Sequence, residues 1–508
     1  MQDKHLAIQT STGSPHRAEP TLGLAYWMKR VLEECKRASA DLAPDPVHDL
    51  RVALRRCRSM ADGLRAIDPD RSWKDMKKAG KALFSSLGEL RDLHVMTEWV
   101  QKLGPSEDPE TKALLDLLSQ REHGQKLLAA QAIQSFDVRQ WRKWSRELPR
   151  RAARVRRGSV VFKHLALERW TEAYDLHRRA LRNRSQVALH ELRIGIKRFR
   201  YIVENFLPQL HEAWGADLKE LQDLLGEVHD LDVLWTTATQ VNAFASEESR
   251  GRWQGMVREA REKRITRYHE RTVGPNSLWR VWRAELPQGD QIQSAAMARL
   301  KLWASLLDPD FAHSQRVASL ATQVFDGLSR LGLAPSSPDY NGRTILFAAA
   351  LMHDVGRAKR GKGHHKATYR LIRGMTPPLG WTPPELQLVA AVARFHCGAL
   401  PKPRQKMLQE LAPADKSLAI QLAGMLRFAN AFDGARDGQV QTLQVGQKDG
   451  ALVVSAAGYS PWTSEAEDIS AARHLLELVL RKPILVRPLK ATPSRVAQPR
   501  TWAPSQRP

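Results

Sequence analysis

The sequence predicts a mainly α protein: two helical bundles that copy each other, then an all-helical domain with a small C-terminal β-hairpin and helix appended. Three observations predict it. Apolar residues recur at intervals of three and four from Leu22 to about Leu286, and again from Ser294 to Asp437, the period of helices with one buried face. One helical phrase occurs twice, as VHDLRVALRRCR over Val47–Arg58 and LHELRIGIKRFR over Leu189–Arg200. Finally, Val440 to Ser455 alternates about Lys448-Asp449-Gly450, and Asp-Gly between alternating segments marks a hairpin turn.

Taken in order, residues 1–20 are polar, with Ser, Pro and Gly, and are expected to be disordered. The helical region 21–286 divides into repeats at about 21–138 and 139–286, with breaks at the Pro and Gly clusters near 43–46, 103–109 and 274–276. In the first copy of the phrase, His48, Arg51, Arg55 and Arg58 share one side of a helix, and Leu50, Leu54, Cys57, Ala61 and Leu64 the neighbouring side. In the second copy His190, Arg193, Lys197 and Arg200 hold the equivalent places, beside Leu192, Ile196, Phe199, Val203 and Phe206. A second pair of phrases, LGELRDLHV from Leu87 and LGEVHDLDV from Leu225, follows at nearly the same spacing. Repetition of both phrases means that a whole helical unit is duplicated. Residues 287–294 read as a linker, 295–487 as the second domain, and 488–508, rich in Pro, Arg and Ser, as a loose tail. Within the second domain, Ser464 and Glu467 have capping-box spacing at the start of a helix to Leu480, and Ile484–Val486 suits a last strand.

The formal net charge is +24 over 508 residues, which points to a polyanionic partner: nucleic acid, an anionic membrane face or inorganic polyphosphate. The charge is uneven, with 19 Lys or Arg against 5 Asp or Glu between residues 139 and 200. Cys35, Cys57 and Cys397 are too far apart in sequence for a metal pair or a disulfide framework, which suits a reducing cytosol. No apolar run reaches transmembrane length, so the expectation is a soluble cytoplasmic protein without a membrane partner.

The duplicated unit resembles the conserved histidine α-helical domain, or CHAD family, over about residues 20–285. The resemblance implies binding of inorganic polyphosphate in a basic channel between the bundles, a grip that would concentrate the polymer or anchor the protein on polyphosphate granules. By it, His48, Arg51, Arg55, Arg56 and Arg58, and His190, Arg193, Lys197, Arg198 and Arg200, take the binding role. Lys74, Lys78 and Lys81 add to the rail at helical spacing, and Lys219 is the counterpart of Lys81. The chemistry agrees, because a featureless phosphate chain offers no base edges and is gripped by Arg forks and Lys point charges. A bland role for each imidazole, orienting a neighbouring Arg, stands beside direct phosphate contact. Nucleic acid is the rival ligand, but single-strand binders intersperse stacking aromatics with their cations. Trp141 and Trp144, beside Arg142 and Lys143, are the best such hint.

In the second domain, a small apolar helix ends in LFAAALMHDVG, bringing His353 and Asp354. His313 opens HSQRVASLATQVF, His364 and His365 stand in tandem, His396 follows an apolar helix in VARFHC, and Asp433 ends LRFANAFD. Imidazoles and carboxylates from separate helices suit a divalent Mn, Fe, Mg or Zn ion. The order resembles the HD phosphohydrolase superfamily, and more narrowly the HD-type C-terminal region of the exopolyphosphatase and guanosine pentaphosphate phosphohydrolase family. That resemblance implies metal ligation by His313, His353, Asp354 and Asp433, with His396 and one of His364 or His365 as a second set. It makes Asp354 and His353 the catalytic residues of a metal-dependent phosphohydrolase acting on a phosphorylated small molecule. That family's actin-like phosphatase domain has no counterpart here. Arg357, Lys359, Arg360, Lys362 and Lys366 are candidates to offset charge on a phosphate. Three readings result: a polyphosphate grip joined to a phosphohydrolase, a non-enzymatic granule scaffold, and a nucleic-acid-associated phosphohydrolase.

Overall fold

The apolar stripes of the two phrases are buried as their spacing requires. Leu50, Leu54, Cys57, Ala61 and Leu64 are closed from solvent, and so are Leu192, Ile196, Phe199, Val203 and Phe206. Each large side chain so buried contributes roughly 2 kcal/mol. The computed structural model describes residues 23–489 apart from Asn242, Arg360 and Lys362. The expectations for residues 1–20 and for most of the tail lie outside the described residues.

In chain order the first helices are α1 (Leu24–Ala40), α2 (Pro44–Arg65), α3 (Arg71–Ala79), α4 (Lys81–Leu103), α5 (Pro109–Gln134) and α6 (Val138–Ala152). There follow α7 (Val160–Arg182), α8 (Gln186–Phe206), α9 (Pro208–Gln240), α10 (Glu247–Thr272), α11 (Leu278–Ala284) and α12 (Asp290–Leu307). The chain divides into two compact units between Ala295 and Ala296, inside α12. The helix therefore begins at Asp290, within the stretch read as the linker 287–294.

In the first unit, equivalent helices of the two copies meet: α2 lies on α8, and α4 on α9. Leu93, Met96 and Trp99 of α4 share one apolar cluster with Leu231 and Leu234 of α9 and Trp253 of α10. The copies are thus fused through a common core. The arginine-rich helix α6, expected to open the second copy, instead rests on α1 and α3 of the first. Trp141 is fully buried and donates from Nε1 to the Met28 carbonyl at 3.0 Å. Arg151 holds Asp68 with two hydrogen bonds, at 2.9 and 2.8 Å. Trp141 and Trp144 are both buried, so neither is placed to stack on a nucleic-acid base.

The second unit continues with α13 (Phe311–Arg330), α14 (Gly342–Met352), α15 (His364–Arg373), α16 (Pro383–Arg394), α17 (Lys406–Gln409) and α18 (Pro413–Ala431). It closes with β1 (Leu443–Lys448), β2 (Ala451–Ala456), α19 (Ser464–Leu480) and β3 (Ile484–Pro488). The hairpin turn is the expected one. Asp449 and Gly450 adopt φ of 50° and 77°, the left-handed pair that a two-residue turn needs. β1 is antiparallel to β2, and β3 adds to β2 in parallel after α19, with Leu452 opposite Ile484. Pro488 belongs to this strand, so the tail starts later than expected. The capping box does not form: the N-cap is Thr463, without a side-chain cap. α13, α14, α16 and α18 build the main core, and α14 is almost wholly buried from Ile345 to Met352.

Candidate functional site: a basic groove and a histidine cluster

Burying the apolar stripes of α2 and α8 chiefly against helices of their own copies, α1 for α2 and α7 and α9 for α8, leaves their cationic sides facing one cavity of about 330 Å³. It is lined by His48, Arg51 and Arg55 from the first copy and by Arg193, Lys197 and Tyr201 from the second. The second pair of phrases forms the opposite wall, with Arg91 from α4 and Gly226, Glu227 and Asp230 from α9. Sequence reasoning noted those phrases as repeats without giving them a place in the site.

The groove is electrostatically crowded. Lys197 is lowered to about 8, first by burial and then by Arg193, Arg55, Arg51 and Arg58. Asp230 is raised to about 6, chiefly by burial, against the pull of Arg193. His48 is lowered by burial and by Arg91, Arg55 and Arg51. Among the described residues, Arg51 Nη1, Arg55 Nε, Tyr201 Oη and Gln222 Oε1 are buried without a hydrogen-bond partner. A buried donor without a partner costs about 1–3 kcal/mol, so the two guanidinium nitrogens and the Tyr201 hydroxyl favour an incoming acceptor, whereas the Gln222 oxygen is an acceptor itself. The Arg51 guanidinium also fills the space a side chain would occupy at Gly88: a Cβ there would lie 2.6 Å from Nη1. Arg51 and Arg58 both stack over Phe84, at 5.1 and 4.9 Å.

Other expected rail residues lie elsewhere. Arg56 pairs with the buried Glu204 and stacks on Trp27. Arg58 donates to the Lys77 carbonyl at 2.9 Å. Arg200 lies 3.8 Å from Glu204. Arg198, Lys74, Lys78, Lys81 and Lys219 are exposed and do not line the cavity. His190 is also exposed and faces His229 at 4.9 Å rather than the groove.

In the second unit the helix ends converge. His353 and Asp354 follow the C-terminus of α14, His313 sits in the first turn of α13, and His396 and Cys397 follow α16. His364 begins α15, which docks through Thr368. The Thr368 hydroxyl accepts from the Gly356 amide at 3.0 Å and donates to the His353 carbonyl at 2.9 Å. The approach demands glycine: a Cβ at Gly356 would lie 2.4 Å from the His364 carbonyl and the Thr368 nitrogen.

Three imidazoles are oriented in the same way. Nδ1 of His353, His396 and His364 donates to the carbonyls of Ala350, Ala393 and Gly361, at 2.7, 2.8 and 3.1 Å. Their Nε2 atoms then turn toward Asp354 Oδ1, at 3.8, 3.7 and 3.2 Å. His353 Nε2 is fully buried and has no hydrogen-bond partner among the described residues. Imidazoles fixed through Nδ1, with Nε2 lone pairs gathered about a carboxylate, fit a metal cation. His364 is raised to about 10, first by its hydrogen bond to Asp354 and then by Cys397, so in this arrangement a proton on Nε2 supplies the positive charge. His353 and His396 are lowered, mainly by burial. Burial favours a protonated Asp354, but the hydrogen bond from His364 and the charges of His353 and His396 hold its carboxyl below the usual range.

Two trios have donor atoms within 4.8 Å of one another: His313, His353 and Asp354, and His364, His396 and Cys397. Of the tandem pair, His364 joins Asp354 and His396, whereas His365 Nδ1 lies 3.5 Å from Cys397 Sγ. Asp433 stands outside both trios and holds His313 Nδ1 at 2.7 Å, while Arg316 donates to the same oxygen at 2.8 Å. Asp354 Oδ2 is bound by Arg357 at 3.0 Å and by Arg436, whose φ of 64° is left-handed. Arg316, Arg436, Asn430 and Cys397 were not anticipated as site residues. Lys359 and Lys366 are exposed, and Arg360 and Lys362 lie outside the described residues.

The comparisons agree with the division into two units. The CHAD domain family matches residues 25–239, and the family described as Ppx/GppA phosphatase, domain III, matches residues 298–460. No curated protein matches the chain. Among solved structures, the CHAD domain from the plant Ricinus communis is similar, at 21% identity and a TM-score of 0.36, over 55% of this chain and 97% of that chain. Among the described residues, no helix is long and apolar enough to cross a membrane. The first unit thus carries a CHAD domain over residues 25–239, and the second a match to domain III of the Ppx/GppA phosphatases over residues 298–460.

Proposed function

We propose that the first unit grips inorganic polyphosphate and that the second is a metal-dependent phosphohydrolase acting on a phosphate ester or anhydride. The observation that carries the first half is the meeting of Arg51, Arg55, Arg193 and Lys197 in one cavity with unpartnered guanidinium nitrogens. Arg forks take phosphate oxygens in pairs, and Lys197 adds a charge between them. No stacking platform of several aromatic rings lines the cavity, where Phe84 and Tyr201 are the aromatic residues. A phosphate polymer therefore suits it better than a nucleic acid.

For the second half, Asp354 Oδ1 faces the gathered Nε2 atoms while Arg357 and Arg436 hold Oδ2. A divalent cation, when bound there, lowers the pKa of a water and polarises a phosphoryl oxygen. His313, His353 and Asp354 would hold it, and Asp433, Arg316 and Asn430 fix the His313 ring. Arg357 and Arg436 are positioned to turn from Asp354 toward a transferring phosphate. The same contacts favour a second reading, a non-enzymatic scaffold, because guanidinium groups already neutralise both carboxylates.

The test has two arms. Long-chain polyphosphate should bind more tightly than single-stranded DNA or RNA at one fixed salt concentration, since all are electrostatic ligands. A screen of nucleotides, short polyphosphates and phosphomonoesters with Mn, Mg and Zn should give a hydrolysis that Asp354→Ala abolishes. Hydrolysis absent with every metal, alongside intact polymer binding, selects the scaffold.

A further inference from the structure

Cys397 sits among metal-binding groups. Its Sγ lies 3.8 Å from His364 Nε2, which lies 3.0 Å from His396 Nε2 and 3.2 Å from Asp354 Oδ1. His396 Nε2 is 3.7 Å from the same carboxylate oxygen. A tetrahedral ion with zinc-like bond lengths of about 2.0–2.3 Å separates neighbouring N or O ligands by about 3.4 Å, and N from S by about 3.6 Å. These four of the six separations in such a set bracket those values, and Cys397 offers its sulfur within 4.8 Å of the donor atoms of both His364 and His396.

We propose that Asp354, His364, His396 and Cys397 form a closed four-ligand site for a borderline-soft divalent cation of the zinc class, with the Cys397 thiolate as the selecting ligand. The inference rests on the metal reading of the histidine cluster and deepens it. Donor chemistry supports the choice of ion. Only one of the four atoms is oxygen, whereas magnesium demands oxygen ligands and keeps several waters. Arg394 and Arg427 are near enough to feel charge on Cys397, so a sulfur that is negative as a ligand has two cations beside it. His364 and His396 are already oriented through Nδ1 by backbone carbonyls, as metal-bound imidazoles usually are.

The consequence is a division of labour between the two trios. Four protein ligands leave no open position, which is the pattern of a structural or regulatory zinc site. His313 and His353, sharing Asp354 with it, are left as the side that keeps room for water and substrate.

Cobalt(II) titration of the full chain tests this without any turnover. The expected result is a near-ultraviolet thiolate-to-cobalt charge-transfer band with intense visible bands of four-coordinate cobalt. Cys397→Ala should remove the charge-transfer band. Cobalt bound without that band in the wild type, or a band surviving in the variant, overturns the proposal; Cys35 and Cys57 are buried in the other unit. If the variant does not fold, alkylation of wild-type Cys397 with iodoacetamide decides. Zinc should slow it by about tenfold or more, and an unchanged rate overturns the site. A band with no hydrolysis of any substrate would defeat only the phosphohydrolase reading, whereas hydrolysis with no band would defeat only this one.

Discussion

The groove and the histidine cluster solve opposite electrostatic problems. In the first, like charges converge: Arg51, Arg55, Arg193 and Lys197 share a cavity, and Lys197 is depressed to about 8. In the second, the buried acids are paired: Asp354 is approached by His364, Arg357 and Arg436, and Asp433 by His313 and Arg316. Unpaired cations are an invitation to a large anion, and their strain is relieved when it arrives. A paired, buried cluster of imidazoles and carboxylates suits small cations instead. The difference teaches that net charge, high in this chain, locates only the first kind of site.

Substitutions can separate the two. The largest expected effect is that of Asp354→Ala, which should lower metal-dependent phosphatase activity by about 10³-fold or more while leaving polyphosphate affinity unchanged. Next, replacing Arg51, Arg55, Arg193 and Lys197 together with Ala should weaken polyphosphate binding by at least about 10³-fold, since charge-assisted contacts contribute about 1.5–3 kcal/mol each. The salt dependence should flatten in parallel, and circular dichroism should be unchanged. Binding that survives breaks the comparison at its root.

Arg56→Ala sharpens it. Arg56 belongs to the same phrase but pairs with the buried Glu204, so its removal should cost about 2–3 kcal/mol of stability in a urea titration and leave affinity nearly intact. A smaller effect is expected of pH. Asp230 loses its proton as pH rises through about 6 and adds a negative charge to the groove. Lys197 loses its positive charge as pH rises through about 8. Both changes weaken anion binding, so affinity should fall by about tenfold across that window, and Asp230→Asn should remove the lower step. Gly88→Ala should have the smallest effect, a loss of about threefold in affinity, because the displaced group is the flexible end of Arg51. A larger loss would mean that the seat of Arg51 is rigid.

Much of this was legible because it was periodic. The stripes of α2 and α8, the Asp-Gly hairpin and the order of the histidine-bearing segments all follow from residue spacing. Spacing could not show which cations the fold diverts to internal acids, because Glu204, partner of Arg56, lies in the other copy. It could not assign α6 either, since Trp141 finds the Met28 carbonyl across the bundle. Cys397 gave no signal because cysteine is sought in pairs, while its companions are imidazoles, the adjacent His396 and, from the start of α15, His364. Arg316 and Arg436 gave no signal at all, their partners being set by tertiary structure.

The meeting of α2 with α8 and of α4 with α9 has one more consequence. Walls that are copies of each other, facing across a shared core, give a passage little sense of forward or backward. A polymer of identical phosphates also reads the same from either end, and would meet such walls alike in either orientation. A strand with chemically distinct ends would gain nothing from that indifference.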